Sequence, residues 1–179
     1  MPSNSGQGNS GNTYKICLLA LISAIAIIGR VGLQLINGVQ PVTALMILIP
    51  LFIGLPEAIL CCAVTVVVTS CFLGWGPWSV YQIVVWSLIA ALARLLPRRN
   101  WPLFYCGMGV LCGYLYGFSV SAFAYRSFVT GGSQTGFLVY WLSGLYPADT
   151  LHAVGNAIFI WAFYPLFRRF VAGKFRSAF

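Results

Sequence analysis

The chain has 179 residues, 60% of them hydrophobic and 7% charged, with a mean hydropathy of +0.88. Soluble domains carry roughly 25% charged residues, so this composition excludes an ordinary soluble domain and indicates an integral membrane protein. Ten Lys and Arg against Glu57 and Asp149 give a net charge of +8; with almost no water-facing domain to present it, the surplus reads as basic membrane flanks rather than a nucleic-acid surface.

In chain order, "MPSNSGQGNSGN" is uncharged and rich in Ser, Gly and Asn, and residues 1–13 read as a disordered tail. Lys15 then precedes an apolar run in which Ala24-Ile25-Ala26 imitates a signal-peptide cleavage site. The run continues to about Ile36, long enough to cross a bilayer, which favours a retained first span over about 16–36. Two shorter apolar runs follow, 42–55 and 58–73, divided by Gly54-Leu55-Pro56-Glu57. Further spans are expected at about 79–96, 101–125 and 149–171. The segment 126–147 opens polar and glycine-rich, then turns aromatic, and is expected to fold back as a short helix or capping loop. The expectation is an all-α integral membrane protein: a six transmembrane helix bundle over residues 14–172, with a basic tail at 173–179. The six cysteines lie inside apolar runs without a C-x-x-C pair and read as packing residues.

The basic residues sort these spans by side. Lys15, Arg94, Arg98, Arg99, Arg168, Arg169, Lys174 and Arg176 fall on one side, and only Arg30 and Arg126 on the other. The positive-inside rule then places both termini in the cytoplasm. The outward segments gather Asn37, Gln40, Trp75, Trp78, Tyr81, Gln82, Gln134, Tyr140, Trp141, Tyr146 and Asp149. A headgroup-level aromatic belt explains the Trp and Tyr. The amides among them favour a ligand pocket with apolar walls and a few placed polar groups.

Three motifs carry that chemistry. In "FLGWGPWSVYQ" (72–82), Gly74 and Gly76 permit a tight turn and Pro77 suits the first turn of a helix. Trp75, Trp78 and Tyr81 then offer flat faces for stacking or for interface anchoring, with Gln82 as a hydrogen-bonding tip. In "PADTLHAVGNAI" (147–158), Asp149, His152 and Asn156 share one helical face. They suit an Asp–His pair that orients the helix, contacts to a ligand, or, with outside help, a metal; the single His argues against a dedicated metal centre. In "NGVQPVTALMIL" (37–48), Asn37 and Gln40 sit at a turn that Asn-Gly or Pro alone could make. Arg30 and Arg126 each lie near the outer end of a span, where they can snorkel outward or face inward to hold an anionic or carbonyl group. Ala20 and Ala24, four apart, let another helix approach closely, and Gly109, Gly113 and Gly117 form a stripe suited to close internal packing.

No phosphate-binding G-x-x-x-x-G-K-[ST], nucleophile elbow or H-E-x-x-H occurs, so uphill movement of a solute would draw its energy from a partner. With these three motifs on a six-span plan, the chain resembles the substrate-binding S components of energy-coupling factor (ECF) vitamin transporters. The resemblance implies a non-enzymatic, multi-pass subunit of a prokaryotic plasma membrane, binding a B-type vitamin beneath its outer loops. It implies corrinoids such as cobalamin first, with riboflavin or another vitamin precursor as the alternative. It also implies docking through Ala20 and Ala24 on a transmembrane T subunit, with two ATPase subunits that use the ATP, and no cofactor on this chain. One departure stands out: Ser70-Cys71 occupy the place before "FLG" where the family pattern leads one to expect an Asn. Two readings of other classes stand beside it: an intramembrane enzyme using Asp149 and His152 as acid and base, and a membrane scaffold or channel.

Overall fold

The structure is a computed structural model that describes residues 6–97, 101–129 and 132–172. Seven α-helices run α1 (Gly6–Gly32), α2 (Val42–Phe52), α3 (Leu55–Leu73), α4 (Pro77–Arg94), α5 (Pro102–Phe128), α6 (Gln134–Gly144) and α7 (Thr150–Leu166). A wide helical turn, Leu145–Asp149, links α6 to α7, and another, Phe167–Val171, extends α7. The backbone leaves helical geometry at Tyr146, whose φ and ψ are −128° and 128°.

Local chemistry sets the starts and stops. Pro56, Pro77 and Pro102 each stand in the first turn of α3, α4 and α5, where a missing N–H costs nothing. Ser133 caps α6 by accepting a 3.0 Å hydrogen bond from the Gly136 N–H. Gly74 ends α3 at φ +93°, a conformation that side chains resist. Across the resulting turn, the Ser70 and Ser79 hydroxyls meet at 2.9 Å. Ser70 thus closes the α3–α4 hairpin.

Among the described residues, four stretches are long and apolar enough to cross a membrane: Gly11–Gly32, Leu55–Leu73, Pro102–Phe128 and Gln134–Val171. The six expected spans are therefore met in part. Val42–Phe52 is apolar but only 11 residues long, and Pro77–Arg94 is diluted by Ser79, Gln82 and Arg94. The tail also differs from expectation. Its described part, from Gly6, is already helical and continues into α1; residues 1–5, Arg98, Arg99 and the basic tail at 173–179 lie outside the described residues. The segment expected to fold back as a separate cap instead forms α6, which continues through Leu145–Asp149 into α7 within the single stretch Gln134–Val171, and no α6 residue is buried. It leans on α5 through Phe137 and Trp141, both edge-on to Phe118.

α2 lies at the centre, with Val42 to Leu51 buried and α1, α3, α4, α5 and α7 around it. α5 and α7 run antiparallel along the glycine stripe. A Cβ on Gly113 would meet the Ala153 Cα at 2.6 Å, and one on Gly109 would meet Ile160 Cδ1 at 2.5 Å. Small residues here let two backbones touch. At one end of the bundle Lys15 pairs with Glu57, and the Tyr14 hydroxyl donates to the Phe170 carbonyl at 3.2 Å. Arg94, Arg168 and Arg169 belong to that same end, while Arg30 and Arg126 belong to the opposite one.

Candidate functional site

The turn between α1 and α2 is fastened down. Gly38 takes φ +83°, and a Cβ there would run into the Ala148 carbonyl at the start of α7. Val39 lies against Gly155, and Pro41 against Gly29. Beneath this turn a polar chain crosses the core. Trp86 Nε1–H donates to Thr43 Oγ1 at 2.9 Å. Thr43 Oγ1 is 3.0 Å from His152 Nε2, and His152 Nδ1 is 2.6 Å from the Gly38 carbonyl oxygen. A carbonyl only accepts, so Nδ1 carries the proton; in the neutral ring Nε2 then accepts from the Thr43 hydroxyl.

Two further groups complete the cluster. Arg30 Nη2 donates to Gln82 Oε1 at 2.6 Å, and its guanidinium lies 5.0 Å from the centre of the Trp86 ring, within cation–π range. Tyr116 stacks on Trp86, with centroids 4.9 Å apart and planes 9° apart, and its ring lies 5.1 Å from that of His152. The Tyr116 hydroxyl interacts with the side chains of Gln40 and Gln82.

A second polar group sits on the α5–α7 seam. Asn156 Nδ2 donates to the Gly109 carbonyl at 3.2 Å, and the Asp149 carboxyl fills the gap beside Gly117. The Trp141 indole faces Asp149 closely enough to interact, although neither Trp141 Nε1 nor Asp149 Oδ2 closes a hydrogen bond of good geometry. Arg30 Nη1 and Asn156 Oδ1 are likewise buried without a partner. Buried polar atoms are nearly always satisfied, so these atoms, with Thr65 Oγ1 on α3, stand out within an otherwise apolar bundle. Among the described residues, no group of three or more His, Cys, Asp or Glu side chains comes together.

Of the residues singled out from sequence, Arg30, Gln40, Gln82 and His152 meet in the cluster, with Asp149, Trp141 and Asn156 on the adjoining seam. Tyr81 is close by but committed: its hydroxyl donates to the Ser119 carbonyl at 2.7 Å and its ring stacks on Phe123. Trp75, Trp78, Tyr140, Asn37 and Arg126 are exposed and outside the cluster. The Asp149–His152 hydrogen bond entertained from their spacing is not made, because both His152 nitrogens go elsewhere. Ala20 lies on the exposed face of α1 and Ala24 at its half-buried edge.

Sequence reasoning missed Thr43, Trp86 and Tyr116. Trp86 was within reach, since it stands four residues after Gln82 on the same helical face. Thr43 hides as one small polar residue in an apolar run. A half-open cavity of about 450 Å³ was also not foreseen. It is apolar and lies toward the Lys15–Glu57 end, between α1 and the end of α7, lined among others by Leu21, Ile25, Phe163 and Phe167. Comparisons with protein families, with curated proteins and with solved structures find no match to this chain.

Proposed function

We propose that the chain is the substrate-binding S component of an ECF-type importer in a prokaryotic plasma membrane. In this reading it crosses the membrane six times with both termini inside, and it takes up a B-type vitamin, a corrinoid such as cobalamin first. The observation that carries the reading is the polar cluster at the turn 37–41, in which buried Arg30, Thr43, Trp86, Tyr116 and His152 meet half-buried Gln40 and Gln82. Polar groups at such depth in a membrane bundle are costly, and are kept where they meet a solute. The segregation of the basic residues to the opposite end supports the orientation. The transmembrane T subunit would dock at Ala20 and Ala24, and the paired ATPase subunits would supply the energy.

An acid–base role for Asp149 and His152 is disfavoured by the engagement of both His152 nitrogens. The test of the carrier reading is native mass spectrometry of the detergent-purified protein, followed by uptake in cells that supply the coupling subunits. A co-purified vitamin-sized species, and uptake lost on Ala20→Trp/Ala24→Trp while ligand binding persists, are the expected results. An empty protein with no saturable ligand would return the chain to the scaffold or channel class.

A further inference from the structure

The chain has two carboxylate side chains, and neither serves Arg30. Glu57 pairs with Lys15 at the opposite end of the bundle. Asp149 faces Trp141 and the Gly117 gap on the α5–α7 seam. Arg30 is only 9% exposed. Its neighbours are neutral: the Gln82 carbonyl oxygen at 2.6 Å, the Trp86 ring face, and the Tyr116 hydroxyl beyond Gln82. Nη1 makes no hydrogen bond, and the other groups near the charge, Tyr116 and the Cys62 thiol, are also uncharged.

One neutral hydrogen bond and one ring face return less than the burial of an unpaired cation costs. A guanidinium is also the side chain best shaped to grip a planar or tetrahedral oxyanion through two N–H groups. The surrounding groups suit the same guest, since the amides of Gln40 and Gln82 and the phenol of Tyr116 can donate to an oxyanion without competing for the charge.

We infer that Arg30 is the anion-recognising residue of this site, and that the transported molecule carries a carboxylate or a phosphate that takes the open Nη1 position. The inference rests on the carrier reading and narrows it. Cobalamin qualifies through its phosphodiester, whereas riboflavin, which has no anionic group, does not.

The test uses matched pairs that differ in the oxyanion: cobinamide phosphate and cobinamide, flavin mononucleotide and riboflavin, pantothenate and panthenol, biotin and biotin amide, with cobalamin itself as a further ligand. Binding is read by thermal shift and calorimetry on the full chain in phosphatidylcholine nanodiscs, with a parallel series containing phosphatidylglycerol. The expected result is that one anionic member binds, its neutral counterpart binds about 100-fold more weakly, and Arg30→Gln removes the difference. Arg30→Lys, which keeps the charge but loses the fork, should fall between them. Should Arg30→Gln fail to fold, the double variant Arg30→Met/Gln82→Met removes donor and acceptor together and serves as the charge-free control.

A neutral member that binds as well as its anionic partner, or an anionic member held equally by Arg30→Gln, overturns the inference and leaves the carrier standing. Stabilisation by phosphatidylglycerol that depends on Arg30, with no response to any soluble oxyanion, assigns the position to a lipid headgroup and also overturns it. No binding of any member to a cooperatively unfolding protein counts against the carrier reading itself, and the inference falls with it.

Discussion

His152 of α7 and Gly38 of the first turn are joined by a 2.6 Å hydrogen bond that spans 114 residues of sequence. The ring's other nitrogen holds Thr43 of α2, so one imidazole ties a turn and two helices together. His152→Ala should lower stability by about 2–4 kcal/mol, from two hydrogen bonds and a cavity. Hydrogen exchange should rise specifically over residues 36–41. Unchanged protection of that turn would show that Val39 and Pro41 hold it without the histidine.

Gly38 and Gly74 both have positive φ but different surroundings. Alanine at Gly74 meets open space and should cost only the backbone term, about 1 kcal/mol. Alanine at Gly38 drives a methyl group into the Ala148 carbonyl and should cost clearly more. Thermal unfolding of the two variants in the same detergent makes the comparison, and equal losses would contradict the close approach of turn and helix.

Along α5, Gly113→Ala must push the α5 and α7 backbones apart, whereas Gly107 has nothing within 4 Å of a new methyl group. Gly107→Ala should be neutral or stabilising by up to about 1 kcal/mol through helix propensity. Gly113→Ala should destabilise despite the same gain. Melting temperatures that move in opposite directions are the expected signature.

Trp86→Phe keeps a ring against Tyr116 but removes the donor to Thr43. The loss of one buried hydrogen bond predicts a fall of about 1–2 kcal/mol. Trp78→Phe, on an exposed residue outside the cluster, should stay within about 0.5 kcal/mol. Ligand affinity, once a ligand is in hand, should divide the two variants the same way.

The elements were legible wherever composition changes sharply. Pro56, Pro77 and Pro102 announce helix starts, and Gly74 announces a stop, because their backbone chemistry is local. The glycine stripe of α5 was readable as a packing surface for the same reason. The cluster was half legible: Arg30, Gln82 and His152 stand out as polar residues in apolar runs. Their partners did not stand out. Nothing in the sequence says that His152 turns to Gly38 and Thr43 rather than to Asp149 three residues away, since that choice is made by how α2 and α7 pack. Trp75 and Trp78 drew attention as flat rings close together, yet helix phase and the turn at Gly74 to Gly76 point them outward. Trp86, one face further along α4, has the inward place.

α2 is buried over ten consecutive residues, from Val42 to Leu51. An 11-residue helix rises only about 16 Å, far less than a hydrocarbon layer of about 30 Å. Enclosed as it is, α2 has no lipid boundary to match. In a bilayer, a change of thickness would act directly on the stretches long enough to cross it, and would reach Thr43 only through its partners Trp86 on α4 and His152 on α7. The polar centre of the protein thus joins one short enclosed helix, through Thr43, to longer helices that face outward.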